Sequence, residues 1–202
     1  SEHGRWAAAG LIHSTRDYRL EWACRLLARE VRVTDSTLIG NLVTSVTFYA
    51  NTTIYIIAGL VAALGAADKL LTFTVDMAFG GAGNRELLEI KLMLVLASFV
   101  YAYFKFTWSL RQFNVLSILV GAAPLGQRDE PAIESYARRV AAANNLAGDD
   151  FNRGIRAYYF GLAASGWLLN PVALAVLALA VLIVLYRRDY RSPALHILRD
   201  QA

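Results

Sequence analysis

The chain has 202 residues, of which 56% are hydrophobic, and it carries a formal net charge of +4. Its mean hydropathy of +0.39 is too high for a typical soluble domain of this length, so the composition predicts a membrane protein. The basic residues lie at the ends of apolar segments rather than in one soluble patch, so we expect no nucleic-acid partner. The single cysteine, Cys24, excludes an internal disulfide and a thiolate metal cluster. The three histidines are scattered near the termini, so we predict no metal site and no cofactor.

Residues 1–33 predict a basic amphipathic helix at the cytoplasmic face of the membrane. Tyr18 and Trp22 are followed by Arg25, Arg29 and Arg32. Arginines mixed with aromatic side chains are typical of a helix bound to anionic lipid headgroups. We therefore expect anionic lipids as partners here, and a solvated helix beside the membrane is the alternative. The rest of the chain, residues 34–202, is predicted to form a single transmembrane domain.

The first predicted span, residues 38–64, is unusually polar in its first half. Its polar residues recur at i, i+3, i+4 and i+7, which places them on one stripe of a helix: Asn41, Thr44, Ser45, Asn51, Thr52 and Tyr55. One interpretation is hydrogen bonding between packed helices. The other is a hydrated path or a ligand-binding face, with Asn51 close to the middle of the membrane.

The second predicted span, residues 88–110, belongs to one long helix from Glu86 to Gly121. Four polar residues follow it at heptad spacing and therefore share one face: Lys91, Ser98, Lys105 and Gln112. A polar line on a membrane helix normally faces protein or water, because lipid cannot solvate it. Packing alone needs no cation at Lys105, although a lysine near an interface can also extend its amine to water.

Two more spans and one cytoplasmic helix complete the predicted architecture. The cytoplasmic helix covers residues 131–146, and Asp149 with Asp150 is predicted to cap a third span over residues 151–169. A row of small residues in that span, Ala157, Gly161 and Ser165, predicts close helix packing. The fourth span, residues 172–186, has no polar side chain before Tyr186, so we expect it to face lipid.

Arginine and lysine are unevenly distributed about these four spans. The segments 1–37, 109–156 and 187–202 are rich in arginine, whereas the connection before the second span holds only Lys69 and Arg85, with Lys91 where that span begins. The positive-inside rule then predicts four crossings with both termini in the cytoplasm. The predicted fold is an all-α, polytopic helical bundle with four transmembrane helices and amphipathic helices at the cytoplasmic interface.

Several longer strings resemble a known family of bacterial and plant membrane proteins. They include Asp35-x-x-Leu-Ile-Gly-Asn-Leu, Phe48-Tyr-Ala-Asn-Thr-Thr, Tyr103-Phe-Lys-Phe-Thr-Trp-Ser-Leu-Arg-Gln-Phe-Asn and Asn152-Arg-Gly-Ile-Arg-Ala-Tyr-Tyr-Phe. The chain resembles the family catalogued as domain of unknown function 599 over nearly its whole length. This resemblance implies a membrane fold, with the bacterial inner membrane as the expected location, but no activity. Since members usually carry one more apolar segment upstream and this chain begins with Ser, we expect that an upstream segment is missing from it.

Three classes of function remain open. The first is an oligomeric channel or carrier for a small ion, whose path runs along the polar faces of the first two spans. The basic residues favour an anion. The second is a structural or accessory subunit of a larger membrane complex, and in either case we expect a homo-oligomer or partner membrane subunits. An enzyme is the least favoured class, because the sequence has no nucleophile–base pair and no pair of carboxylates within the spans. The predicted pore-lining or ligand residues are Asn41, Ser45, Asn51, Thr52, Ser98, Lys105, Arg111, Gln112 and Arg156.

Overall fold

A computed structural model describes residues 11–76, 84–124 and 130–191, and these residues are helical without any strand. Six α-helices follow one another within these ranges: α1 (Leu11–Leu27), α2 (Val33–Gly65), α3 (Ala67–Asp76), α4 (Arg85–Gly121), α5 (Glu130–Ser165) and α6 (Pro171–Tyr190). A 3-10 turn, Gly166–Leu168, separates α5 from α6. The predicted all-α fold class is therefore confirmed.

Three of the described helices, α2, α4 and α6, are long and apolar enough to cross a membrane. They contain the first, second and fourth predicted spans. The third predicted span, residues 151–169, falls partly in α5, which is not among the three. The reason lies in its charge, because Asp149, Asp150, Arg153 and Arg156 lie within two helical turns near its middle. The predicted count of four spans is not confirmed.

The structure contradicts the predicted break between a cytoplasmic helix over residues 131–146 and a new helix at residue 151. One helix of 36 residues, α5, runs through both segments and ends at Ser165, so Asp149 and Asp150 lie inside a helix and cap nothing. No proline interrupts this segment after Pro131, and a single interior glycine such as Gly148 costs only about 1 kcal/mol of helix stability. The carboxylate of Asp149 instead accepts a hydrogen bond from Arg16 at 3.0 Å.

The chain divides into two compact units. The first is drawn from Ser1–Thr47, Thr107–Phe151 and Tyr186–Ala202, and the second from Phe48–Phe106 and Asn152–Leu185. In the first unit, the later part of α4 runs antiparallel to the earlier part of α5. Ser109 donates to the carbonyl of Ala147 at 2.8 Å, and Tyr136 donates to the carbonyl of Leu119 at 2.7 Å.

In the second unit, aromatic rings of α4 pack on glycines of α5. A Cβ atom added to Gly154 would lie 2.6 Å from Cε1 of Phe106, and one added to Gly161 would lie 3.1 Å from the ring of Phe99. Phe99 belongs to a core that also contains Val95 and Ala164. The predicted contact at Gly161 is thus present, and Gly154, seven residues before it, extends the contact by two turns.

Candidate functional site

The six residues of the predicted polar stripe lie on the side of α2 opposite its buried residues. The buried set is Asp35, Ile39, Val46, Ala50 and Thr53. At about 100° per residue, this set defines one face, and the polar stripe lies roughly half a turn away from it. In keeping with this geometry, Asn41, Thr44, Ser45, Asn51 and Tyr55 are exposed, and Thr52 is half-buried. We call this set of six residues the outward polar face of α2.

Hydroxyl groups on the outward polar face donate to carbonyls of their own helix. Thr44 donates to Gly40 at 2.9 Å, Ser45 to Asn41 at 3.0 Å and Thr52 to Phe48 at 2.8 Å. Within the described part of the chain these three hydroxyls therefore make no bond to another helix, and their oxygen lone pairs remain available as acceptors. The side-chain amides of Asn41 and Asn51 offer both donors and acceptors on the same face.

The polar line of α4 borders a buried strip on that helix. Lys91 is 2% exposed, and its Nζ lies 5.5 Å from the centroid of the Trp167 ring. Ser98 donates to the carbonyl of Leu94 at 3.0 Å. Lys105 is half-buried, with its Nζ 6.0 Å from the centroid of the Tyr101 ring, and Gln112 is half-buried as well. These residues do share a face, and that face lies beside packed residues such as Phe99 and Phe106.

The predicted pore-lining residues do not form a single described cluster. The side chain of Asn51 is exposed and makes no hydrogen bond to Ser98 or to any other residue in the parts of the chain that the structure covers. Arg111 is exposed and lies against Trp108, with 5.7 Å between its guanidinium carbon and the ring centroid. Arg156 is also exposed. A path shared by both helices stays a prediction, whereas the face of α2 is observed as an exposed surface.

A buried carboxylate joins α1 to the start of α2. Asp35 is fully buried, and its Oδ1 accepts hydrogen bonds from Nε1 of Trp22 and from Nη1 of Arg29, each at 2.8 Å. Its Oδ2 has no hydrogen-bond partner among the described residues. In the sequence, Asp35 stands out only as the first residue of one of the strings quoted above. The sequence signal is only general: an acidic residue beside an apolar span, with an aromatic and a basic residue upstream.

A second arginine, Arg32, holds two helix ends in place within the first unit. Its guanidinium donates to the carbonyls of Ala123 and Pro124, which follow α4, at 2.8 and 3.0 Å. Its Nε donates at 3.4 Å to the carbonyl of Leu26, in the last turn of α1. Carbonyls at helix C-termini lack partners within the helix, so a cation is favourable at such positions.

A cavity of about 450 Å³ opens between α1, α2 and α5 in the first unit. Its wall is largely apolar or aromatic, formed by Tyr18, Trp22, Leu38, Ile39 and Leu42. Four polar residues complete the lining: Thr15, Arg19, Asn41 and Asn144. A mostly apolar cavity with a few polar groups has the usual composition of a small-molecule or lipid site.

Arg19 supplies the charge at this cavity. Its Nη1 donates to Oδ1 of Asn145 at 3.0 Å and to the carbonyl of Asn144 at 3.5 Å. Burial lowers the pKa of the Arg19 guanidinium below its ordinary value; the negative charge of Asp149 opposes this shift, and the positive charge of Arg16 adds to it. Gly148 lies directly under the guanidinium, because a Cβ atom there would be 2.7 Å from Nη2 of Arg19.

Within the described residues there is no group of three or more histidine, cysteine, aspartate or glutamate side chains that could hold a metal ion. The one cysteine, Cys24, is exposed and free. What the geometry offers is therefore an exposed polar helix face and an apolar cavity with one cationic residue.

The fold and these sites define a class: an all-helical protein with three helices of membrane-spanning length and composition in its described part. The chain belongs to the family described as "Protein of unknown function, DUF599", whose model matches residues 3–194. The resemblance stated from the sequence is confirmed. No curated protein and no solved structure matched the chain.

Proposed function

We propose that the protein is an oligomeric membrane channel or carrier in which the outward polar face of α2 lines a hydrated path for a small ion. One observation supports this most strongly: exposed polar side chains lie on a helix of membrane-spanning length, on the side opposite the buried residues of that helix. Polar groups that face hydrocarbon are costly, so such a face is expected to contact water or protein. A second copy of the chain, or a partner subunit, would shield it from lipid.

The proposal includes four crossings of the bacterial inner membrane, with both ends of the chain in the cytoplasm. The uneven distribution of arginine supports this orientation, and the later part of α5 would supply the third crossing. Its charged residues, Arg153 and Arg156, would then lie at the cytoplasmic end of that crossing, where arginine is favourable.

An anion is the favoured ion because the basic residues concentrate at the cytoplasmic ends of the helices. Lys105 and Arg111, on α4, give that end a positive potential that attracts anions. On the outward polar face, the amides of Asn41 and Asn51 retain hydrogen-bond donors, which an anion needs. An accessory subunit is the second candidate, and the same exposed face supports it if a partner subunit covers that face permanently.

Ion flux into liposomes that contain the purified protein tests the proposal. We expect the wild type to pass chloride faster than potassium. The Asn51→Leu variant should pass chloride at least tenfold more slowly than the wild type while keeping the same oligomer size. Ile54→Leu, an exposed neighbour outside the polar face, serves as the matched control and should retain wild-type flux.

Two results would reject this function. If the wild type conducts neither ion, there is no path through the protein alone. If Asn51→Leu dissociates the oligomer, the face packs against protein and the accessory-subunit function takes the place of the channel.

A further inference from the structure

We propose that the cavity between α1, α2 and α5 binds one anionic phospholipid, with an acyl chain against Trp22 and Leu42 and the phosphate at Arg19. This inference rests on the membrane placement in the proposed function but not on ion flux. A protein that conducts nothing could still bind the lipid in this way.

The cavity has the size and the wall that an acyl chain requires. Its volume of about 450 Å³ falls within the range of roughly 300–1,000 Å³ that is usual for ligand sites. Leu38 is 49% exposed and Leu42 is 45% exposed, so much apolar surface there is left uncovered by the chain itself. Both residues lie in the first turns of α2, a helix of membrane-spanning length, where headgroups meet hydrocarbon. Lipid is therefore the apolar material closest to this opening.

The charge at the cavity favours an anionic lipid over a neutral one. Arg19 donates hydrogen bonds to two uncharged oxygens, those of Asn144 and Asn145. The nearby carboxylate of Asp149 pairs with Arg16 at 3.0 Å. Two guanidinium groups thus face one carboxylate, which leaves a positive charge for a phosphate, the group that arginine binds with paired hydrogen bonds.

The two residues that would hold the lipid are fixed before it arrives. The indole of Trp22 is held by its hydrogen bond to the buried Asp35. The guanidinium of Arg19 packs on the backbone of α5 at Gly148, where no side chain intervenes. A site that is already formed loses little conformational entropy when it binds its ligand, so it gains affinity.

Quenching of Trp22 fluorescence by brominated lipids tests the proposal. The protein keeps Trp22 as its single tryptophan (Trp6→Phe, Trp108→Phe, Trp167→Phe) and is placed in phosphatidylcholine vesicles containing either brominated phosphatidylglycerol or brominated phosphatidylcholine. We expect half-maximal quenching at a mole fraction of the brominated anionic lipid about fivefold lower than that of the brominated neutral lipid. Arg19→Gln should remove this preference, whereas Arg25→Gln, an exposed control on the same helix, should keep it.

Comparison of the two lipids in the single-tryptophan protein needs no change at Arg19, so a failure of Arg19→Gln to fold would not prevent the test. Equal quenching by the two lipids would overturn the proposal, and so would an absence of quenching, since the cavity would then be covered by protein. A preference that Arg19→Gln leaves unchanged, or that Arg25→Gln also removes, would assign the effect to general surface charge and would equally overturn it.

Discussion

The absence of a side chain at Gly154 allows α4 and α5 to pack closely in the second unit. Phe106 is completely buried, and its ring occupies the space that a side chain at position 154 would need. The sequence predicts Gly161 as a packing residue but not Gly154, although Ala147, Gly154 and Gly161 stand at heptad spacing on one helix face. The predicted row has small residues four positions apart, whereas the observed contacts of α5 with α4 recur every seven residues, which is two helical turns.

Substitution of Gly154 by alanine should therefore destabilise the protein. The added methyl group would lie 2.6 Å from the completely buried ring of Phe106, and overpacking of this kind costs about 2 kcal/mol. Gly59→Ala is the matched control, because no atom lies within 4 Å of a Cβ placed there, and it should stabilise helix α2 by about 0.5–1 kcal/mol. Unfolding midpoints of the two variants in the same detergent measure the difference, and equal midpoints would contradict the observed contact.

The contacts of Asp35 were beyond what the sequence could predict. A helix start signal and a buried ion pair require the same residue type at the same place, and sequence spacing does not reveal that Trp22 and Arg29 reach one carboxylate oxygen. The cavity is similar, since α5, which is distant in sequence, forms it together with α1 and α2. Periodicity did place Asn41 on the polar stripe, but it could not show that Asn144 lines the same cavity.

Among the helices, α2 and α4 were predicted well because their apolar periodicity is long and uninterrupted. The first span was expected over residues 38–64 and α2 covers Val33–Gly65; the long helix was expected from Glu86 to Gly121 and α4 covers Arg85–Gly121. The error in α5 arose because two adjacent aspartates are good N-cap residues, and the sequence does not reveal that Arg16 pairs with one of them. When no proline stops the helix, residues that could cap a new helix do not interrupt an otherwise helical segment, because helical hydrogen bonding continues through them.

The charged middle of α5 makes the number of crossings a testable property of that element. If its later part, from Phe151 onward, crosses the membrane, the chain crosses four times and its two ends lie on one face. We expect reporter fusions at Ser1 and Ala202 both to be active in the cytoplasm, in accordance with the arginine-rich segments. Ends on opposite faces would instead leave the three crossings of α2, α4 and α6.

At the scale of the whole molecule, polar groups occupy two different environments on membrane-length helices. Lys91 is buried against Trp167 within the second unit, whereas Asn51 is exposed on the outward side of α2. A monomer in lipid would leave the outward polar face in contact with hydrocarbon, at a cost that shielding by other subunits or by water removes. The family whose model matches residues 3–194 is described only as of unknown function, so the proposed function rests on this exposed face.

Water accessibility along α2 tests this central claim most directly. Single cysteines are introduced at Thr44, Asn51 and Tyr55 on the outward polar face and at Ile54 and Val61 outside it, in a Cys24→Ser background because Cys24 is exposed. The protein is reconstituted in liposomes and treated with a charged, water-soluble thiol reagent. We predict fast modification at positions 44, 51 and 55, which follow the helical repeat, and slow modification at positions 54 and 61. Equal rates at all five positions, or no modification at position 51, would contradict a hydrated path along this face.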